Sequence, residues 1–476
     1  MLKRLYLSPI FNSWLAQAIT MVFAFIAVPI VLSKLLPPEI NVWFLISTVV
    51  AIGQGVQFGF YTTFVRFLSY SAAGVSVEEF ENLHRKFEVR FAGQVNESEF
   101  FDLMLVLKKV YIAISSIYFI LMVTFGSWAM YKPISLMGHH SRDGWITWGL
   151  VIVTSTATLY FSVYQIYLMG VNEVSLSQRV TSLSSLAGLG VFLAVNSIAP
   201  TLFNIVAVYQ LIAVANALWL MRLAFTIRNG FLKEGHGAKF KKHLFRLVWD
   251  SAWKNGVTTV ISNIIRHASG IIVAQIVSPV ASASFLLTKR LFDILDNLSM
   301  ATFQAKSPEI ASLRGKGDFL RLIPLIRKVY YLSYAVYLIG FSIIAFFGQE
   351  ILTCIKGNVT IGGAKLIIFF SVAYFVNRWC GLNLAVSNQA NRVIEHVTAT
   401  IYAVVYFLFI FVFYSHLGLA VFPAAMTVGV LAISPIVIRK TYKTINTTFI
   451  TFERNLSLPA FLLLIILNTV YYWSRS

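Results

Sequence analysis

Residues 12–39 read NSWLAQAITMVFAFIAVPIVLSKLLPPE, and residues 43–70 read WFLISTVVAIGQGVQFGFYTTFVRFLSY. Each stretch contains an apolar run of about 20 residues, the length of a helix that crosses the hydrocarbon core of a bilayer. The turn Leu36-Pro37-Pro38 separates them. The first run follows a basic start, as in a signal peptide, but it is too long and has no small-residue cleavage site. We therefore interpret it as an uncleaved first transmembrane helix.

The composition of the whole chain is that of a membrane protein. Of its 476 residues, 58% are hydrophobic and 12% are charged, and the mean hydropathy is +0.75, whereas soluble domains carry roughly a quarter charged residues. The net charge of +19 would suggest nucleic acid in a soluble protein. Cytoplasmic loops rich in Lys and Arg explain much of it here, so we expect no nucleic-acid partner. Two cysteines predict neither a metal site nor a cofactor.

The remaining apolar runs predict twelve spans in two sets of six. The first set is 11–34, 42–67, 103–130, 145–170, 180–198 and 202–226, and the second is 248–277, 281–303, 325–349, 362–386, 393–415 and 419–438. These sets predict an N-terminal lobe (1–226), a basic cytoplasmic connector (227–247), a C-terminal lobe (248–440) and a tail (441–476). Within the tail, residues 458–473 form either a thirteenth span or an interfacial helix.

The charge of the loops predicts the orientation. With the N-terminus in the cytoplasm, the loops on the inner side hold 20 Lys and Arg residues and those on the outer side hold 3. Positive loops stay inside, so we expect a multi-pass protein with a cytoplasmic N-terminus. The longest polar stretch, residues 77–102, is then cytoplasmic, and we interpret it as a solvated amphipathic helix.

The two halves have features of an internal repeat, as many membrane transporters do. Asn12-Ser13-Trp14 in the first half aligns with Ser251-Ala252-Trp253 in the second, and residues 43–47 align with residues 284–288. In both places a long helix, a very short outer turn and another long helix follow each other. The order and spacing predict a parallel repeat about an axis normal to the membrane.

The eighth predicted span carries four charges. Residues 283–306 read ASFLLTKRLFDILDNLSMATFQAK. Lys289, Asp293 and Asp296 share one helix face, and Arg290 is three residues from Asp293. Ionisable groups within spans face a bundle interior or a water-filled cavity. This span is therefore a candidate functional site.

Three further spans each carry one arginine. Arg266 lies in the seventh span, Arg378 in the tenth, and Arg66 near the cytoplasmic end of the second. Among the residues singled out in these spans, those of the second half are therefore four cations and two acids. Internal ion pairs, for example between the Asp293 carboxylate and Lys289 or Arg290, account for some of these charges, and the surplus suits an anionic ligand. For Arg66, snorkelling to lipid headgroups is an equal alternative.

Four segments resemble the polysaccharide flippases of the Wzx type, in the MATE-like multidrug/oligosaccharidyl-lipid/polysaccharide (MOP) superfamily. They are residues 12–39, residues 43–74, YLMGVNEVSLSQR at residues 167–179, and KSPEIASLRGKGDF at residues 306–319. The resemblance extends over nearly the whole chain. It implies an all-α polytopic membrane protein with two six-helix lobes around a V-shaped central cavity, and a transporter rather than an enzyme.

The resemblance also implies a cargo. Proteins of this type carry undecaprenyl-diphosphate-linked oligosaccharide from the cytoplasmic to the outer leaflet of the bacterial inner membrane by alternating access. The residues expected to hold the anionic diphosphate are Arg66, Arg266, Lys289, Arg290 and Arg378. Asp293 and Asp296 would moderate this charge, and either could bind a coupling H⁺ or Na⁺. Expected partners are membrane lipids, a polysaccharide polymerase and chain-length machinery, and the protein is expected to be a monomer.

Three alternative functions agree less well with the sequence. Cation-coupled drug exporters of the same superfamily typically use acidic residues in the N-terminal lobe, and the first six predicted spans contain none. Flippases of peptidoglycan lipid precursors usually have fourteen spans. A membrane-embedded polysaccharide polymerase usually needs a large outer loop or an external carboxylate, whereas the predicted outer loops here are short.

Overall fold

The structure is a computed structural model that describes residues 9–72, 97–227, 230, 232, 238–315, 318–354, 357–388, 395–445 and 447–475. Within these ranges the regular structure is helical, because a segment in lipid must satisfy its own backbone hydrogen bonds. Nine of the described helices are long and apolar enough to cross a membrane, or ten if the bent pair Pro37–Gly55 and Gly59–Ala72 counts as one span.

The first half forms six long helices. They are α1 (Pro9–Lys34), α2 (Pro37–Ala72), α3 (Glu97–Ser135), α4 (Ser141–Gly170), α5 (Val174–Ile198) and α6 (Leu202–Ala224). Each predicted span of this half coincides with one of them. The turn between α1 and α2 is short because Pro37 begins the next helix at once, and proline is favoured at a first helical position.

The second half forms six more long helices and a helical tail. They are α7 (Lys242–Ile276), α8 (Pro279–Gly315), α9 (Phe319–Cys354), α10 (Ala364–Asn388), α11 (Glu395–Leu417), α12 (Val421–Ile445), α13 (Phe449–Glu453) and α14 (Ser457–Arg475). The predicted spans coincide with α7–α12. The apolar tail segment 458–473 lies in α14, which is among the helices apolar and long enough to cross a membrane. That it does cross remains a prediction.

A shared irregularity supports the internal repeat. The third helix of each half contains a five-residue π-helical segment, Met122–Gly126 in α3 and Ile343–Phe347 in α9. In α3 the segment follows 25 α-helical residues, and in α9 it follows 24. Such segments are rare and often sit at functional positions. Their equivalent placement agrees with the repeat predicted from the outer turns.

The described chain divides into two compact units, Met1–His267 and Ala268–Ser476, which we call the N-terminal and C-terminal units. The boundary between these units falls within α7. A close approach within the N-terminal unit accounts for this, since a Cβ on Gly59 would lie 2.4 Å from the backbone nitrogen of Gly256. Small residues let helices in membranes approach closely, so the first part of α7 packs on α2.

Parts of two predicted cytoplasmic segments lie outside the described residues. These parts are residues 73–96, where the amphipathic helix was predicted, and residues 228, 229, 231 and 233–237 of the connector. The described end of the connector is attached to α3. Asp102 is buried at the start of α3, accepts a hydrogen bond from the backbone N–H of Lys239 at 2.7 Å, and pairs with Lys241 Nζ at 2.8 Å.

Candidate functional site

The charges of α8 are paired along its own helix. Lys289 Nζ lies 2.8 Å from Asp293 Oδ2, one helical turn away. Both side chains are mostly buried. Of the two pairings considered for Asp293, with Lys289 or with Arg290, the structure has the one with Lys289. Asp293 therefore acts first as a counter-charge for Lys289.

The second carboxylate of α8 pairs with α10. Arg378 is only 3% exposed, and its Nη2 donates to both the carboxylate Oδ1 and the backbone oxygen of Asp296. Arg378 Nε is buried and has no hydrogen-bond acceptor among the described residues. The guanidinium is thus held on one edge and retains an unused donor on another.

Tyr374 links the two helices and was missed by the sequence reading. Its hydroxyl donates to Asp293 Oδ1 at 2.5 Å, so this carboxylate receives a donor from α10 as well as from Lys289. Tyr374 lies one turn before Arg378 on α10, and its ring packs near the rings of Phe292 and Phe370. The aromatic wall lowers the local polarity and strengthens each ion pair.

Arg290 remains outside this network. It is exposed, and no hydrogen bond or ion pair joins it to another described residue. Its alternative partner from the sequence reading, Asp293, is bonded to Lys289 instead. In the C-terminal unit the two acids of α8 therefore each hold one cation, and Arg290 is a surplus positive charge beside them.

The other two predicted cations belong to the N-terminal unit. Arg66 is partly buried on α2, with its guanidinium carbon 5.3 Å from the centre of the Phe67 ring. Arg266 is exposed on α7 and has no hydrogen bond or ion pair with another described residue. Within the C-terminal unit, the structure brings together Lys289, Asp293, Asp296 and Arg378.

The cluster joins two carboxylates and two cations of α8 and α10, and each carboxylate is paired with one cation. Among the described residues, no group of three or more His, Cys, Asp or Glu side chains could hold a metal ion. Its cations are suited to an anion, since arginine donates bidentate hydrogen bonds to phosphate.

Solved structures with a similar arrangement of helices belong to membrane transporters. The Lipid II flippase MurJ, in an inward closed conformation, has a TM-score of 0.60 and 11% identity, covering 98% of this chain and 98% of that chain. An inward-facing multidrug resistance transporter of the MATE family has a TM-score of 0.56 and 12% identity, covering 91% and 98%. A transporter from Pyrococcus furiosus has a TM-score of 0.52 and 10% identity, covering 92% and 94%. The chain has the fold of the MOP-superfamily transporters.

This likeness concerns the fold, since the identities are near 10%. No family model and no curated protein matches the sequence. The MOP-type fold confirms the predicted all-α, multi-pass membrane architecture. The similar proteins are transporters and a flippase. For the Pyrococcus furiosus transporter, a reversed polarity of the binding pocket suggests a different function.

Proposed function

We propose that this protein is a Wzx-type flippase. It moves undecaprenyl-diphosphate-linked oligosaccharide repeat units from the cytoplasmic to the outer leaflet of the bacterial inner membrane by alternating access. It works as a monomer with its N-terminus in the cytoplasm, and it delivers the units to a polymerase and chain-length machinery. The observation that carries the proposal is the surplus of positive charge on the helices of the C-terminal unit.

An exposed arginine beside buried ion pairs suits a diphosphate. Arg290 offers a planar fork of donors that no described side chain occupies, and this fork matches two phosphate oxygens. Lys289 adds a point charge one residue away. Arg378 keeps Nε as a further donor, which a phosphate oxygen satisfies if the conformational change exposes it. The glycan would stay in water and the lipid tail in the bilayer.

The two acids of α8 set the strength of this attraction. Asp293 and Asp296 neutralise Lys289 and Arg378, so the cluster does not present three bare cations to the cargo. A flippase must release what it binds, and weaker attraction favours release. Coupling to H⁺ or Na⁺ at either acid would then act by competing with its paired cation, which would free that cation for the diphosphate.

The N-terminal cations have a supporting part in the proposal. Arg266 is exposed on α7, and Arg66 lies near the predicted cytoplasmic end of α2. In the proposed cycle they would attract the anionic headgroup from the cytoplasmic side. The predicted spans of the first half contain no Asp or Glu, which supports an anionic cargo over a cationic drug.

A second candidate is the export of a peptidoglycan lipid precursor. It is favoured by α14, a long helix beyond the predicted twelve, and by the likeness to the Lipid II flippase MurJ over nearly the whole chain. Both cargoes are lipid diphosphates, so the same cations serve either one. The sugar part of the cargo distinguishes them.

The test uses a strain that lacks this protein and a label that reaches only the outer leaflet. We expect repeat units to accumulate inside, surface polysaccharide to be lost, and the wild type to restore both. Arg290→Ala should fail to restore them. The matched control is Arg321→Ala at the start of α9, whose side chain is 81% exposed and is unconnected with the cluster.

Three outcomes would change the proposal. Full rescue by Arg290→Ala would keep the flippase and discard its cationic site. Repeat units that reach the outer leaflet normally in the deletion strain would point to a later step such as polymerisation. Accumulation of the peptidoglycan precursor inside, with surface polysaccharide still made, would favour the second candidate.

A further inference from the structure

Two cavities in the C-terminal unit share a wall at the short helix α13. Phe449, the first residue of α13, lines both of them. One, of about 420 Å³, is bordered by the end of α12 and the segment that follows it, and we call it the basic cavity. The other, of about 380 Å³, lies between α10, α12, α13 and the start of α14, and we call it the apolar cavity. Because their linings differ in polarity, the pair suits a ligand with one charged and one apolar part.

The basic cavity carries two cations of α12. Arg439 and Lys443 are four residues apart, so they lie on one face of the helix. Both are exposed, and no hydrogen bond or ion pair joins either one to another described residue. Thr447 and Thr448 border the same cavity and bring hydroxyl groups to it. Guanidinium, ammonium and hydroxyl groups together are suited to the oxygens of a phosphate ester.

The apolar cavity exposes only apolar atoms. Its walls are mainly Phe375, Trp379, Leu431 and Phe461. Arg454 borders it as well, is exposed, and has no hydrogen bond or ion pair with another described residue. A surface without hydrogen-bonding groups offers nothing to a sugar or a free phosphate, which would lose water without compensation. It therefore suits a hydrocarbon chain.

The contacts of α14 show at which end of the unit these cavities lie. The Tyr331 hydroxyl, in the first part of α9, donates to the backbone oxygen of Asn455 at 2.5 Å. Near the end of α9, Glu350 lies 3.1 Å from Arg475 at the end of α14. The helix α14 therefore runs beside α9 in the same direction. Its first residues, which border the apolar cavity, lie at the end predicted to be cytoplasmic, as does the basic end of α12.

Glu453 holds α13 in place between the two cavities. Its side chain is 5% exposed, and Oε1 accepts hydrogen bonds from Trp379 Nε1 at 3.1 Å, from Asn383 Nδ2 at 3.3 Å and from the Tyr442 hydroxyl. These donors belong to α10 and α12, so the carboxylate fastens α13 to both helices. Among the described residues that line the cavities, Glu453 is the only acid. Because it is buried, the accessible charges around the cavities are the three cations named above.

We propose that the two cavities together bind an anionic phospholipid of the cytoplasmic leaflet. Its phosphate and headgroup lie in the basic cavity, and one acyl chain lies in the apolar cavity on the other side of Phe449. Basic pockets between helices on this side of a membrane protein attract anionic headgroups. Phospholipid greatly outnumbers any transported lipid in the leaflet, so mass action favours it as the occupant. The proposal concerns a resident lipid and is independent of the cargo proposed above.

The test measures the fluorescence of Trp379 in the full-length protein, in nanodiscs of phosphatidylcholine. Increasing fractions of phosphatidylglycerol or phosphatidylcholine with a brominated acyl chain are included, because bromine quenches indoles that lie close to it. The chain has 10 tryptophans, so the contribution of Trp379 is the difference between the wild type and Trp379→Phe. We expect half-maximal quenching at a mole fraction about 5- to 30-fold lower for the anionic lipid, and salt should narrow this difference.

Two double variants separate a defined site from a general attraction to basic charge. Arg439→Gln with Lys443→Gln removes both charges of the basic cavity, and we expect it to lose most of the preference for the anionic lipid while quenching by brominated phosphatidylcholine persists. The matched control is Lys242→Gln with Arg321→Gln. It removes two exposed cations on the same predicted side that line neither cavity, and it should keep the preference.

Three results would overturn the site. The first is equal quenching of Trp379 by the two brominated lipids. The second is an equal loss of preference in the control variant, which would assign the effect to total basic charge. The third is displacement of the brominated anionic lipid from Trp379 by undecaprenyl diphosphate, which would assign the cavities to the cargo. Should Trp379→Phe fail to fold, Leu431→Trp, at a wall position that is 49% exposed, adds a reporter that is measured against the wild type.

Discussion

The two units of this protein build buried polar contacts from different chemistry. In the N-terminal unit the buried Asp102 pairs with Lys241 at the start of α3, but neutral groups join the apolar parts of the helices, such as the Tyr118 hydroxyl on Ser155 Oγ and the Trp148 indole on Ser127 Oγ, both at 3.0 Å. In the C-terminal unit, helices α8 and α10 are joined by Arg378 and Asp296. Membrane helices thus pack well without ion pairs.

This difference indicates why the C-terminal charges are present. Burying an ion pair gains little stability over well-packed apolar residues, because desolvation offsets the attraction. Since hydroxyl and indole groups join the apolar parts of the N-terminal helices, the charges of α8 are not required for helix packing as such. We infer that they are kept for what they bind.

The largest expected effect on stability comes from breaking the buried pair. Arg378→Met leaves Asp296 without its cation, and we expect the free energy of unfolding to fall by about 3–5 kcal/mol. Chemical denaturation of the purified protein in detergent measures this loss. The double variant with Asp296→Leu should recover most of it. Failure of the double variant to recover stability would mean that the charges are structural after all.

A smaller loss of stability is expected when a neutral hydrogen-bond donor to a carboxylate is removed. Tyr374→Phe removes the hydroxyl that donates to Asp293 at 2.5 Å, and we expect about 1.5–3 kcal/mol of destabilisation. The same denaturation experiment measures it. If this variant is as stable as the wild type, Tyr374 does not support the carboxylate in the way the geometry indicates.

Among the buried polar contacts, removing a neutral one in the N-terminal unit should reduce the free energy of unfolding least. Tyr118→Phe removes the hydrogen bond to Ser155, and the expected cost is about 0.6 kcal/mol, the average for such bonds between membrane helices. A cost for Tyr118→Phe that matches the cost for Tyr374→Phe would erase the contrast between the units.

Arg290→Ala should leave stability nearly unchanged, within about 0.5 kcal/mol, because exposed positions without partners contribute little. Transport, in contrast, should be lost. A variant of Arg290 that unfolds the protein would contradict its assignment as a surplus charge. The paired measurements of stability and rescue therefore distinguish a binding residue from a structural one.

The fold could be predicted from sequence to a large extent, for a simple reason. Apolar runs of span length must be helical in lipid, and each predicted span coincides with one of α1–α12. The close approach of Gly59 to Gly256 could not be predicted, because no local pattern signals a contact between distant segments. The tail helix α14 was visible as an apolar segment, but its packing was not.

From the sequence, the site could be predicted only where two side chains lie on the same helix at a spacing that brings them together. Lys289 and Arg290 both lie within helical contact distance of Asp293, so the sequence offered two pairings, and the structure has the one with Lys289. Tyr374 could not be singled out, since it is one of 21 tyrosines and meets Asp293 only through tertiary packing.

The most direct test of the central claim is binding of undecaprenyl diphosphate to the purified protein in nanodiscs, with uncharged undecaprenol as the reference. We predict that the diphosphate binds more tightly, that salt weakens it, and that Arg290→Ala reduces its affinity by about 10- to 100-fold while Arg321→Ala does not. Equal binding of the charged and uncharged lipids, or unchanged affinity in Arg290→Ala, would contradict the account.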